Sequence, residues 1–431
     1  MSRATAASGH RTLGMERALA CAASHRSDHV GDLERLVSFR TVSADPGAAP
    51  ALRSCARWLA RRLADAGLEA GVVSTDGHPF VIARWNRRVG APTLLVYGHY
   101  DVQPADPRDG WTSPPFHAVR RGDYLVGRGA SDNKGPVVAC IAALEAWLEA
   151  TGTLPINVVV LLDGEEEIGS PSLRRWLRAK PRPVSVDAVV VSDAAMPARG
   201  RPVLVCSLRG MVAMKVALHA RRPELHSGTA GEMRNPVEEL CRIVAGLRDG
   251  AGRIAVPGFY RRVRSAERPT VLVTGIAGGY TGPGAKSVVP ASATATLEIR
   301  IVESQRPAEI AECFGRHLRG AAPAEFDVSV RVLKASRPVR LRLADEPSRA
   351  AARALRTAFG VPPAIVASGG SLHAVPALLD TVGAPVVVTG FALPGDGRHG
   401  PDERFHLPTF ACATDACIAF LHELSHAGAS W

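Results

Sequence analysis

Four apolar runs in this chain of 431 residues each give way to His, Asp or Glu, and that pattern restricts the fold more than any other feature. His99 follows Thr93 to Tyr97, the triplet Glu165-Glu166-Glu167 follows Ile156 to Leu162, Asp193 follows Val186 to Val191, and His399 comes one loop after Pro385 to Thr389. Short apolar runs bounded by polar residues read as strands buried on both faces, and their alternation with helical stretches implies a largely parallel sheet covered by helices. The helical stretches are Leu33 to Ala66, Val137 to Leu148, Ser172 to Ala179, Ser348 to Phe359 and Phe410 to His426. Ligands of open sheets gather beyond the carboxyl ends of the strands. The four polar segments are therefore expected on one edge, joined by Asp132 from the loop Gly127 to Pro136, which runs straight into a helix.

Near Cys206 the pattern changes. Gly210 to His219, Thr270 to Thr274, Ala293 to Ile301 and Phe326 to Leu333 read as strands, with Pro236 to Leu247 and Pro307 to Leu318 as helices, enough for a self-sufficient α/β sandwich. The expected fold class is α/β. A discontinuous catalytic domain, 27–207 and 337–431, carries a mostly parallel sheet flanked by helices, and an inserted α/β sandwich, 208–336, interrupts it. A chain of this length suits two such domains. Residues 1–26 have neither the apolar core nor the small-residue cleavage pattern of a secretory signal and are expected to be a flexible extension. No apolar run approaches the roughly 18 residues of a membrane span, so no membrane partner is expected and the cytoplasm is the expected compartment.

The formal charge of +11 raises the question of a polyanion partner, but only five of the 52 basic residues are Lys and the arginines are scattered, without interleaved aromatic residues. No nucleic-acid partner is expected. The eight cysteines form no Cys-x-x-Cys pair and mostly fall in apolar segments, which suits reduced, buried thiols.

Imidazole nitrogen and carboxylate oxygen together suit Zn2+, and also Co2+ or Mn2+. Five ligand segments are too many for one tetrahedral ion but fit two ions that share a carboxylate and a water, with Asp132 as the natural bridge. Two ions about 3.5–4 Å apart polarise a carbonyl and lower the pKa of water, the chemistry of amide or ester hydrolysis. Taken singly, each residue has a plainer reading. His99 could be a structural histidine, Asp132 and Asp193 helix caps, and the glutamate triplet a solvated acidic turn. Their shared placement at strand ends favours the metal reading.

From about Val30 to His426 the chain resembles the co-catalytic zinc peptidase and amidohydrolase family of aminoacylase, carnosinase-type dipeptidases, glutamate carboxypeptidase G and succinyl-diaminopimelate desuccinylase. The resemblance rests on Gly98 to Pro104, Trp111 to Phe116, Gly127 to Pro136, Glu166 to Ser170, Ser192-Asp193, Leu225 to Gly228, Gly278 to Lys286 and Gly369-Gly370-Ser371. It implies that Asp132 bridges two metal ions, that His99 and Asp193 complete one site, and that Glu167 and His399 complete the other. Glu166 is then the general base, taking a proton from the bridging water and returning it to the leaving amine. Asp101 fixes the tautomer of His99, and Glu165 is an extra surface charge. His226 reaches from the insert into a partner's active site in dimeric relatives and steadies the oxyanion. Arg300 is similar to an arginine that grips a substrate carboxylate, and Gly370 and Ser371 precede a short helix whose amino end suits an anion.

Two departures stand out. Gly400-Pro401-Asp402-Glu403 follows the last metal histidine, where the family usually has a small polar residue, and His373-Ala374 stands where relatives often carry Ile-Pro. The loops of the insert look most like the carnosinase branch, which implies a homodimeric dipeptidase acting on small peptides. The alternative is an N-acyl or N-carbamoyl amino acid amidohydrolase.

Overall fold

All seven residues of the strand Asn157–Asp163 are buried, as a strand inside a sheet covered on both faces must be. The computed structural model, which describes residues 3–179, 185–264 and 268–427, builds around that strand the first of two compact units. This unit comprises Met1–Ser207, Leu341–Ser368 and Leu372–Trp431, and the second comprises Leu208–Arg340 with Gly369–Ser371. The first segment runs α1 (Arg3–Ser24), α2 (Arg26–Val37), α3 (Ala49–Asp65), β1 (Glu69–Val73), β2 (Phe80–Trp85), β3 (Thr93–His99), β4 (Val119–Arg121), β5 (Tyr124–Val126), α4 (Gly135–Thr151), β6 (Asn157–Asp163), α5 (Pro171–Arg178), β7 (Ala188–Ser192) and β8 (Val203–Leu208). The second unit holds β9 (Gly210–Ala220), β10 (Leu225–His226), α6 (Pro236–Ala245), β11 (Thr270–Gly278), β12 (Val288–Val289), β13 (Ser292–Ile301), α7 (Pro307–Ala321), β14 (Phe326–Ser336) and β15 (Val339–Arg340). The chain then adds α8 (Glu346–Phe359), β16 (Ala364–Ser368), α9 (Ala374–Val382), β17 (Val386–Thr389), β18 (Arg404–His406) and α10 (Leu407–His426).

The main sheet has the order β1-β2-β6-β3-β7-β17. Four consecutive strands, β6, β3, β7 and β17, are parallel, with β17 at one edge, and β2 and β1 extend the other side in antiparallel pairing. Register sets His99 beside Asp163 and Thr389 beside Ser192, so the strands end level with one another. That alignment brings segments separated by hundreds of residues to a single edge.

Helix α4 is apolar almost all round because the sheet lies on one side of it and α1 and α10 on the other. The Trp147 indole donates to the Ile418 carbonyl at 3.2 Å, which ties α4 to α10. The amino-terminal segment, expected from the sequence to be a flexible extension, contains α1. It is helical from Arg3, and Ala18 and Ala22 are buried, with Gly14 lying flat against the Trp147 ring. Small residues allow this close approach while adding little to the hydrophobic pattern, so the sequence signal is faint.

In the second unit the sheet order is β11-β13-β9-β14, and alternate residues of β13 are buried. Helices α6 and α7 cover the buried face through Leu240, Ile243, Phe314 and Leu318. The outer strands β11 and β14 expose Leu272, Val273, Ile276, Val332 and Leu333. All eight thiols are free; Cys55 is buried, Cys241 is exposed and the other six are half-buried. Among the described residues no helix is long and apolar enough to cross a membrane.

Candidate metal centre

Asp132 lies where the chain leaves β5 and turns into α4. Gly129 makes the turn with φ +85°, and the buried Glu403 carboxylate collects the loop's N–H groups. Oε1 accepts from Ser131 and Asp132 at 3.0 Å, and Oε2 accepts from Gly129 and from the Arg128 guanidinium at 2.8 Å. Asn133 Nδ2 donates to the Ser192 carbonyl at 2.8 Å, holding the loop against the end of β7. Gly98 permits this packing, since a Cβ there would lie 2.7 Å from Val137 and 3.2 Å from Asn133 Oδ1.

The two oxygens of Asp132 face different histidines. His99 Nε2 is 3.1 Å from Oδ1, and His399 Nε2 is 3.2 Å from Oδ2. Asp193 Oδ2 is 3.5 Å from His99 Nε2, and Glu167 Oε1 is 3.5 Å from His399 Nε2. In each of the trios His99–Asp132–Asp193 and Asp132–Glu167–His399, ligand atoms from all three residues lie within 4.8 Å of one another. His399 reaches its place with φ +63°, a conformation that non-glycine residues seldom adopt, inside the turn Gly397–Gly400.

The electrostatics of this cluster call for cations. Burial and the charge of Asp132 push Glu167 up to about 8 and Asp193 up to about 6. Burial opposes charge on the histidines too, yet Asp132 and Glu167 raise His399 to about 9, and Asp101, Asp132 and Asp193 raise His99 well above the imidazole range. Asp132 is held far below the carboxylate range against its own burial by His399 and His99. Protonated imidazoles thus hold positive charge where three buried carboxylates crowd together. Divalent ions would take over that role, and two imidazoles with three carboxylates, one facing both ways, are a donor set suited to two of them.

Asp101 meets His99 with both its carbonyl and its carboxylate. His99 Nδ1 lies 3.0 Å from the Asp101 carbonyl and 3.4 Å from its carboxylate, and the carboxylate accepts from the Glu166 and Glu167 N–H groups at 3.0 and 3.1 Å. Asp101 therefore sets both the histidine and the glutamate turn. Glu165 is not a surface charge. It is 2% exposed and accepts from His78 N–H and Ser172 N–H, both at 2.8 Å, which anchors the start of α5. Glu166 Oε1 accepts the His373 N–H at 3.1 Å. Burial would raise its carboxyl, but His373 and then His99 outweigh it and hold Glu166 at about 2.

The remaining expected site residues lie in the second unit. Arg300 donates to Ser371 Oγ at 3.1 Å and pairs with Glu298. Ser371 Oγ in turn donates to the Arg209 carbonyl, and Arg209 N–H to the Gly370 carbonyl. His226 is exposed, and its Nδ1 accepts from Gly228 N–H at 3.1 Å. A third cluster, Cys21, His25 and Glu149, lies on α1, the residue after α1 and α4, and burial and Glu149 push its thiol up to about 11. Sequence reasoning missed Glu403, Glu165 and His373 as parts of the site. Glu403 and Glu165 accept from backbone N–H groups and His373 donates its own N–H to Glu166, pairings between separate segments that residue types and spacing do not reveal.

Comparison with known proteins accords with this geometry. The profile of Peptidase family M20/M25/M40 matches residues 95–423. A Beta-Ala-His dipeptidase from Rattus norvegicus is 28% identical over 398 residues, covering 81% of each chain. Among solved structures, human carnosine dipeptidase 1 superimposes with a TM-score of 0.88 at 25% identity, over 96% of this chain and 100% of its own. The di-peptidase Dug1p from Saccharomyces cerevisiae gives 0.89 at 22% identity, over 96% and 98%.

Proposed function

The chain belongs to Peptidase family M20/M25/M40, and on that premise we propose that it is a metal-dependent dipeptidase, cleaving the amide bond of dipeptides or similarly small peptides. The observation that carries the reading is Asp132, whose two oxygens are divided between two sets of donors beside Glu166 and Glu167. His99 and Asp193 would hold one divalent ion with Asp132, and Glu167 and His399 the other. Zinc suits these donors, and cobalt or manganese is compatible with them. When bound, such ions polarise the scissile carbonyl and lower the pKa of the attacking water.

Glu166 is the general base. It accepts a proton from the water and passes it to the leaving amine, so that one carboxylate serves both half-steps. Asp101 supports this by fixing the turn on which Glu166 and Glu167 part company, one to move a proton and one to bind a metal. His226 contributes a donor to the oxyanion. Support comes from its tautomer: Nδ1 accepts a backbone N–H, so in the neutral ring the proton resides on Nε2. Arg300 binds the substrate carboxylate, exchanging Glu298 for it, with Gly370 and Ser371 alongside.

The second unit serves as a lid and dimerisation domain, and the enzyme is a homodimer. The apolar residues exposed on β11 and β14 support this, because an uncovered outer strand invites pairing. Eight free thiols support a reducing compartment, the cytoplasm.

A panel of dipeptides against N-acyl and N-carbamoyl amino acids, run after reconstitution with zinc, cobalt or manganese, tests the reading. Dipeptide turnover is expected. Strong N-acyl turnover with no dipeptide cleavage would make the enzyme an amidohydrolase, and full activity with no bound metal would overturn both. Mixing His226→Ala chains with Glu166→Ala chains tests sharing of sites between subunits. Random hybrids should recover up to about a quarter of the parental activity, and no recovery in demonstrated hybrids would place His226 in its own chain's site.

A further inference from the structure

His373 is the residue from which α9 springs, and it sits on the carboxylate of Glu166. Its N–H donates to Oε1 at 3.1 Å, and its Nδ1 lies 3.5 Å from the same oxygen. The residue is only 5% exposed, and neither ring nitrogen makes a hydrogen bond. Buried polar atoms without partners are rare, and those that persist tend to serve a site. The amino end of α9, which the sequence offered to an anionic substrate group, has a resident anion in Glu166. Helix amino ends favour negative charge there.

We propose that His373 is a positioning residue for the base, its main-chain N–H and its imidazole together holding Oε1 so that Oε2 alone takes up and returns the proton. This deepens the dipeptidase reading and rests on it. The terminal torsion of a glutamate is soft and close to two-fold, so an unrestrained carboxylate exchanges its two oxygens freely. The base must meet the water first and the leaving amine second, from one place. Pinning one oxygen removes the exchange and leaves the other facing both partners, which is orientation supplied in advance. The ring needs a shift of only about half an ångström to turn the 3.5 Å approach into a hydrogen bond. Its two nitrogens have no competing partner to leave.

His373→Leu removes the ring and keeps the N–H. It should lower kcat on a dipeptide by about tenfold or more, with KM within about twofold of the parent and metal content unchanged. His373→Asn, which returns a side-chain donor, should recover kcat to within about threefold of the parent. An unchanged kcat in His373→Leu, or a joint fall of kcat, KM and metal content that Asn does not rescue, would overturn the proposal. A second measurement needs no substrate. With histidine selectively labelled with 15N, Glu166→Gln should move the ring resonances of His373, identified by their absence from His373→Asn, and unmoved resonances would equally overturn it. If the parent cleaves no dipeptide, the functional reading fails, and the resonance comparison still decides whether His373 holds Glu166.

Discussion

Beneath α6 and α7 the second unit packs Leu240, Ile243, Leu297, Ile299, Phe314 and Leu318, every one apolar, whereas the edge formed by β3, β6 and β7 buries His99, Asp101, Asp132, Glu165, Glu166 and Asp193 in the first. An apolar core loses stability in proportion to the volume removed. A buried charged cluster depends on each member, because removing one leaves its partner uncompensated in a poor solvent for charge. The first unit has spent its sheet edge on groups that do not favour folding by themselves, and a frame of backbone donors and carboxylates holds them in place. The core of the second unit holds no charged group of this kind, and its outer strands β11 and β14 leave apolar side chains exposed.

The sharpest separation of holding from reacting is expected between Glu166 and Asp132. Glu166→Gln should lower turnover by about 10²–10⁴-fold with metal content intact, whereas Asp132→Asn should lower turnover and metal content together, as elemental analysis of the dialysed proteins would show. Parallel behaviour of the two variants would erase the distinction between base and bridge. Next in size is Glu403→Gln, which keeps the shape of the clamp but not its charge. Metal affinity should fall about 10–100-fold, and excess metal should restore most of the activity. A variant with parental affinity would show that the Asp132 loop holds itself.

The opposite result is expected in the second unit. Leu297→Ala, at a fully buried position, should cost about 2–5 kcal/mol in denaturant unfolding, with metal affinity unchanged. The smallest effect concerns pH. In the metal-free protein His399 is raised to about 9 by Asp132 and Glu167 against its burial, so the stability it supplies is complete below about 6.5 and is lost as pH rises through about 9. Glu167 acts in the same direction. Burial and Asp132 raise it to about 8, so its ionisation opposes folding increasingly from the ordinary carboxyl range up to that pH. Bound metal requires those same protons to leave. The difference in Tm between metal-loaded and chelated protein should therefore widen between pH 6 and pH 9, and a constant difference would mean that the cluster does not exchange protons for metal.

The parallel strands and most of the metal-binding candidates were legible in the sequence for one reason: a buried strand is a short apolar run, and the His, Asp and Glu residues of the loop that follows it gather at the sheet edge. The short strands β4, β5 and β18 carry no comparable signal, since three residues cannot show a period. Glu165 looked like an ordinary surface acid, and Glu403 like part of a departing loop, because what buries them is a set of N–H groups brought together only by the finished fold. Helix α1 was obscured for another reason. Ala18, Ala22 and Gly14 pack by being small, and smallness hardly registers as hydrophobicity.

The clamp on the Asp132 loop also sets an order of events during synthesis. Glu403 and His399 are made about 200 residues after the chain passes Ser207, once the whole second unit has been translated. At 5–20 residues per second that interval is roughly 10–40 s. For that time a nascent chain carries His99, Asp101, Asp132, Glu166, Glu167 and Asp193 without the residues that finish their frame. The Asp132 loop is shaped by residues made after the insert, so the candidate metal centre must be completed after translation of the insert rather than as its other residues appear.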